Sequence, residues 1–143
     1  MRAFPMILIV VILYNLLVFG VAAAGRHDMA AVLAQGVSVA MFSGDTWTIT
    51  LGDGFVLLSL MMLFVETIGA ARSSQRSILN HALSMLTFCA ALVEFIVLKG
   101  FSTSPFFFIT AMCLFDVVAG YTISIVAARR DLTLAPHDPQ EPH

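Results

Sequence analysis

Long apolar runs, with the basic residues kept to their ends, are the feature that most constrains how this chain can fold. All seven Lys and Arg residues fall at or beyond the ends of these runs. The four runs cover about residues 4–24, 54–71, 79–98 and 105–127. An α-helix needs about 20 mostly apolar residues to cross the hydrocarbon core of a bilayer. We therefore predict an all-α membrane protein, a bundle of four transmembrane helices.

The composition agrees with a membrane environment and leaves little room for a soluble domain. Mean hydropathy is +0.95 and only 11% of the residues are charged, against roughly a quarter in soluble domains. Four spans would take up about 80 of the 143 residues. The net charge of −2, without a dense Lys/Arg cluster, argues against a nucleic-acid partner. The predicted partners are membrane lipids and other membrane subunits or further copies of this chain.

The sequence contains no motif for a known catalytic or metal-binding chemistry. It has no Gly-rich phosphate loop, no HExxH, no GxSxG and no Cys/His metal spacing. Only His81 of the four histidines lies on a predicted span, whereas haem between helices needs axial ligands at matched depth. Cys89 and Cys113 lie in apolar runs, and we interpret both as small buried hydrophobes. We predict a non-enzymatic protein with no catalytic residues, no metal and no cofactor.

The basic residues next to the runs predict the orientation of the chain. The short connector 72–76 carries two arginines, and Arg129 and Arg130 follow the fourth run. The two connectors on the other side hold one basic residue each, Arg26 and Lys99. Since short loops rich in Lys and Arg stay in the cytoplasm, we expect both termini to be cytoplasmic in a multi-pass protein of the bacterial inner membrane.

The two ends of the chain need separate interpretations. Residues 131–143 are polar and Pro-rich, and we expect a disordered cytoplasmic tail there. The first run ends in small residues, and Ala22 and Ala24 fit the pattern of a signal-peptide cleavage site. We favour a retained first helix, with a cleaved signal as the alternative.

The connector 26–52 is the segment outside the membrane where regular structure is expected. Residues 37–42 and 46–51 alternate with a period of two around Ser43-Gly44-Asp45, which predicts a small periplasmic β-hairpin between helices 1 and 2. The competing prediction is an interfacial helix from an Asp28 cap through Met41. A hairpin this small needs its apolar face covered by helix ends, the bilayer interface or a neighbouring subunit.

Two further residues of the connector have expected roles. Trp47 is predicted to be an anchor at the headgroup level of the membrane. Asp53, in Gly52-Asp53-Gly54, is expected to cap the second span.

One amide, Asn15, and three acids, Glu66, Glu94 and Asp116, lie inside the spans with no Lys or Arg at their depth. A carboxylate at the centre of a spanning helix costs roughly 2.5–3.5 kcal/mol on insertion scales. We therefore expect these side chains to face the interior of the bundle. One interpretation is a proton or cation relay with the acids staggered across the membrane. The other is structural, with protonated acids and Asn15 joining helices by hydrogen bonds.

Small and polar residues continue these positions into stripes at helical spacing, which predicts helix-packing surfaces. The stripes are Ser59, Glu66, Gly69 and Ala70 on the second span, His81, Ser84, Ala91 and Glu94 on the third, and Asp116, Gly120 and Ser124 on the fourth. His81 is a candidate titrating switch, or an interfacial hydrogen-bonding residue.

The predicted function is association, either as a homo-oligomer or as an accessory subunit of a larger inner-membrane complex. Small-residue stripes and a hairpin too small to stand alone motivate it. A proton-coupled or cation-conducting oligomer is the first alternative. Binding of a lipid or quinone between helices, with Phe106, Phe107 and Phe108 as an apolar wall, is the second.

The segments Thr46–Asp53 and Phe115–Tyr121 give the chain a resemblance to small four-helix inner-membrane proteins of proteobacteria. The resemblance extends over about residues 40–130. It implies a fold and a location, and no activity.

Overall fold

The computed structural model describes residues 4–72 and 78–134 of the chain. These residues contain five α-helices and two antiparallel strands. The elements in chain order are α1 (Ile7–Ala23), α2 (Met29–Leu33), β1 (Gly36–Ala40), β2 (Thr46–Thr50), α3 (Leu51–Arg72), α4 (Ile78–Val97) and α5 (Ser104–Leu134). The prediction of a mostly helical chain with a small antiparallel sheet is confirmed.

Three helices, α3, α4 and α5, are long and apolar enough to cross a membrane. Helix α1 has 17 residues and is about 25 Å long at the rise of an α-helix, somewhat less than a hydrocarbon core of about 30 Å. Helix α3 begins at Leu51, before the predicted start at residue 54. Helix α5 continues to Leu134, so residues 131–134 are helical and not part of a disordered tail. The rest of that predicted tail lies outside the described residues.

Helix α5 is the centre of the bundle. It packs along both α3 and α4, and α1 lies against all three. Helices α3 and α5 begin at the same end, because Pro105 sits directly against Gly52. We call this the hairpin end, since the strands lead into α3 there, and the other the opposite end.

The core forms where one face of α1 meets α5. The buried residues of α1 recur at helical spacing, which turns a single stripe inward. They are Ile7, Val10, Val11, Tyr14 and Val18. Tyr14 is central, with its ring centroid 4.6 Å from Phe106 and 5.3 Å from Phe55.

The connector contains parts of both predicted structures. Asp28 caps a helix by accepting a hydrogen bond from the Ala31 amide at 3.0 Å, as the helical prediction required, but α2 ends at Leu33, well before Met41. From Gly36 the chain is extended, and β1 pairs with β2 in the register that sets Val39 opposite Trp47. The turn contains Gly44 with φ +90°, a conformation that glycine adopts without steric cost.

The hairpin passes into α3 without a linker. Thr50 and Asp53 form a capping box, in which the Thr50 amide donates to Asp53 Oδ2 at 2.9 Å and the Asp53 amide donates to Thr50 Oγ1 at 3.1 Å. The Leu51 amide also donates to the Gln35 carbonyl at 2.7 Å, which ties the start of β1 to the same helix end. Asp53 thus lies in the first turn of α3, and the cap residue is Thr50 rather than Asp53.

Candidate functional site

Glu66 binds the first turn of α1. Its side chain is buried, with 8% exposed, and its Oε2 accepts a hydrogen bond from the Met6 amide at 2.9 Å. The first amides of a helix have no partner within the helix, and the helix dipole favours negative charge there. Glu66 therefore helps to hold the start of α1 against α3.

Asn15 joins α1 to α4. Its Nδ2 donates to Glu94 Oε2 at 2.9 Å and also to the Val11 carbonyl at 3.0 Å. One residue earlier, the Tyr14 hydroxyl and Thr103 Oγ1 are hydrogen-bonded at 2.6 Å. These contacts hold α1 to the hairpin end of α4 and to the segment that leads into α5.

Asp116 is the most deeply buried acid of the three, with 1% of its surface exposed. It lies about 18 Å along α5 from the hairpin end, and Glu66 about 22 Å along α3. Glu94 lies in the last turn of α4, near the hairpin end. All three carboxyl groups are close enough to the Cys113 thiol to act on it electrostatically. The acids therefore occupy different depths around the interior.

The predicted packing residues do not form one surface. Gly120 is buried, whereas Gly69 is exposed and a Cβ there would meet nothing within 4 Å. The side chains of Ala70 and Ser124 lie outside those that the structure describes. Cys113 is buried as expected, but Cys89 is exposed, so the interpretation of both cysteines as buried was wrong for Cys89. It lies on the outer side of α4.

Asn80, His81 and Ser84 form a polar cluster near the start of α4. Asn80 is 7% exposed and Ser84 is 2% exposed. Among the residues that the structure describes, Asn80 Oδ1, Ser84 Oγ and both ring nitrogens of His81 are buried without a hydrogen-bond partner. The His81 ring meets Tyr121 of α5 edge to face, with centroids 4.2 Å apart. Sequence reasoning missed Asn80, although its spacing of four residues from Ser84 is the signal of a shared face.

The hairpin has one polar and one apolar face, and both are exposed. Ser38 Oγ and Thr48 Oγ1 are hydrogen-bonded at 2.9 Å on the polar face. The apolar face consists of Val37, Val39, Trp47 and Ile49. Trp47 is 56% exposed and Val37 is 70% exposed, so nothing in the described part of the chain covers this face.

An apolar groove of about 520 Å³ opens between α1 and α3 near the hairpin end. Its lining is Leu13, Leu16, Leu17, Leu51, Gly54, Phe55 and Leu58. The expected wall of three phenylalanines is not a common surface, because Phe106 is fully buried in the core while Phe107 and Phe108 are half exposed. Phe107 and Phe108 line a smaller groove of about 310 Å³.

Among the described residues, no three His, Cys, Asp or Glu side chains are placed to hold a metal ion. No family model, curated protein or solved structure matches this chain.

Proposed function

We propose that this chain is a non-enzymatic, multi-pass protein of the bacterial inner membrane that acts by association, as a homo-oligomer or as an accessory subunit of a larger complex. In this proposal α1 is the fourth crossing, both termini are cytoplasmic and the hairpin is periplasmic. The uncovered apolar face of the hairpin is the observation that carries the proposal.

A two-stranded hairpin with an exposed apolar face lacks the stabilisation that it needs. Such a pair is at best marginally stable alone in water. The helix ends of this chain do not cover the face, because its valines and Trp47 remain exposed. The cover must then come from outside the described chain, from a neighbouring subunit or from lipid.

The groove between α1 and α3 favours a neighbouring subunit over lipid alone. Leu51, the first residue of α3, lines this groove, and the strand that carries Trp47 ends one residue before it. The groove and the hairpin thus lie on adjoining parts of the hairpin end. A partner helix or hairpin seated there would bury both apolar surfaces at once.

The contacts of the acids support a structural role more than a relay. Glu66 and Glu94 each accept a hydrogen bond from α1, and such bonds join helices inside a membrane. A relay remains the second candidate because the acids lie at different depths. It is tested by proton flux in liposomes, comparing wild type with Asp116→Asn and Glu94→Gln; equal background flux in all three removes it.

Trp47 gives a direct test of association, because it is the one tryptophan of the chain. We expect the protein in nanodiscs to have a mass above that of one chain. We also expect the emission of Trp47 to be shifted to the blue relative to that of tryptophan in water. Val39→Asn places a polar group on the apolar face next to Trp47 and should lower the mass and shift the emission to the red. Ser38→Asn, on the polar face, is the matched control and should change neither.

Two results would overturn the proposal. One is a monomer at every protein concentration with no co-purifying subunit. The other is strong quenching of Trp47 by brominated lipids in discs that hold a single chain, because lipid and not a partner would then cover the hairpin.

A further inference from the structure

The polar cluster at the start of α4 is not used by the association proposed above. Its four buried atoms without partners are Asn80 Oδ1, Ser84 Oγ and the two ring nitrogens of His81. Buried polar atoms in folded proteins almost always have a hydrogen-bond partner, either protein or ordered water. Four such atoms within two turns of one helix therefore require a common explanation.

The cluster lies on the buried side of α4 and contacts α5, nearer to the opposite end than Asp116. Helices α4 and α5 run antiparallel, since His81 contacts Tyr121 at one end and Phe95 contacts Phe107 at the other. Ser84 lies about 4.5 Å beyond His81 toward the hairpin end, and Asp116 lies about 7.5 Å beyond Tyr121 in the same direction. Ser84 is thus at a level between His81 and Asp116.

The hydrogen-bonding needs of these atoms define the ligand. The amide oxygen of Asn80 requires a donor, a neutral His81 ring offers one donor and one acceptor, and the Ser84 hydroxyl offers both. The ligand must therefore both donate and accept hydrogen bonds. Water meets these requirements, and a buried water commonly makes about three such bonds.

We propose that Asn80, His81 and Ser84 bind water inside the bundle. Asn80 is the third residue of α4, so the site begins within one turn of the helix end and Ser84 lies in the second turn. The bound water brings an aqueous contact from the opposite end of the bundle toward Asp116. In a membrane protein, polar groups at such a position mark a route for protons or ions.

Radiolytic hydroxyl-radical labelling of the full chain in nanodiscs tests this proposal, because radicals formed from a bound water modify the side chain beside it. We expect His81 to be labelled even with a radical scavenger in the bulk solvent, and far more than Phe106, which is fully buried in the apolar core. Ser84→Ala and Asn80→Leu should each reduce the labelling of His81 several-fold.

Thr110→Val is the matched control. Thr110 is also buried, but its hydroxyl already donates to the Phe106 carbonyl at 2.9 Å, so its loss should leave His81 labelling unchanged. His81 labelling no greater than that of Phe106 overturns the proposal. So does labelling that the scavenger abolishes, or that Ser84→Ala and Asn80→Leu leave unaltered. A rise in the free energy of unfolding in Ser84→Ala also counts against the proposal. Removing the hydroxyl stabilises the folded protein only if that hydroxyl is buried without water or any other hydrogen-bond partner.

Discussion

The hydrogen bond from the Met6 amide to Glu66 makes a quantitative prediction about how α1 is held. Replacing Glu66 by Leu removes the carboxylate oxygen that the partly buried Met6 amide donates to. Leaving a buried donor unsatisfied costs about 1–3 kcal/mol. Glu66→Gln keeps a side-chain oxygen that can accept the same bond, so its cost should stay below the net value of one hydrogen bond, about 0.5–1.5 kcal/mol.

A double-mutant cycle separates this bond from other effects of the substitution. Met6 has φ −64°, which matches the fixed φ of proline near −65°, so Met6→Pro deletes the donor without changing that angle. If the bond carries the effect, Glu66→Leu should cost less in the Met6→Pro background than in wild type. The free energy of unfolding in mixed micelles, followed by circular dichroism during titration with a denaturing detergent, measures all four variants.

Either of two outcomes would refute this reasoning. Equal costs for Glu66→Leu in both backgrounds would show that the amide is not the partner that matters. Equal costs for Glu66→Gln and Glu66→Leu would show that the negative charge, and not the acceptor oxygen, stabilises the start of α1.

Three further substitutions test the hairpin and the contact between α1 and α4. Gly36→Ala should open the strand pair, because its Cβ would overlap a backbone carbonyl of β2, whereas Gly69→Ala, away from the groove, has open space and should leave Trp emission unchanged. Thr50→Ala should cost about 0.5–2 kcal/mol of unfolding free energy through loss of the cap, and Thr50→Ser should restore most of it; equal stability of all three proteins contradicts the capping role. Asn15→Leu and Glu94→Leu should each lower the free energy of unfolding, and the loss in the double variant should differ from the sum of the two single losses by about 0.6 kcal/mol, and by no more than about 1.7 kcal/mol, as for hydrogen bonds between membrane helices. If the two losses add in unfolding titrations, Asn15 and Glu94 do not interact.

The helices and the hairpin could be predicted from sequence because each leaves a local pattern. Apolar runs indicated α3, α4 and α5, and the alternation around Ser43–Asp45 indicated the strands. The boundaries were less accurate: the capping box of Thr50 starts α3 directly after the strand, whereas the sequence predicts Asp53 as the cap of a span that begins at residue 54.

The contacts of the acids could not be predicted, because they depend on how separate helices are placed. One partner of Glu66 is a backbone amide, and such a partner has no signature in the sequence. Cys89 is different, because the polar stripe of α4 already marks the inward face of that helix. Cys89 lies five residues after Ser84, about 140° around the helix, so its exposure agrees with the stripe and not with its interpretation as a buried hydrophobe.

Because β2 continues directly into α3 at Thr50, the hairpin moves together with α3. Strand β2 and helix α3 meet without a flexible joint, and the hydrogen bond from the Leu51 amide to the Gln35 carbonyl fastens β1 to the same point. With strands of five residues, a change of about 10° in the tilt of α3 would sweep the tip near Phe42 through about 3 Å. A change in the tilt of α3 within the bilayer would therefore move the hairpin tip outside the bilayer, against any surface that the tip contacts.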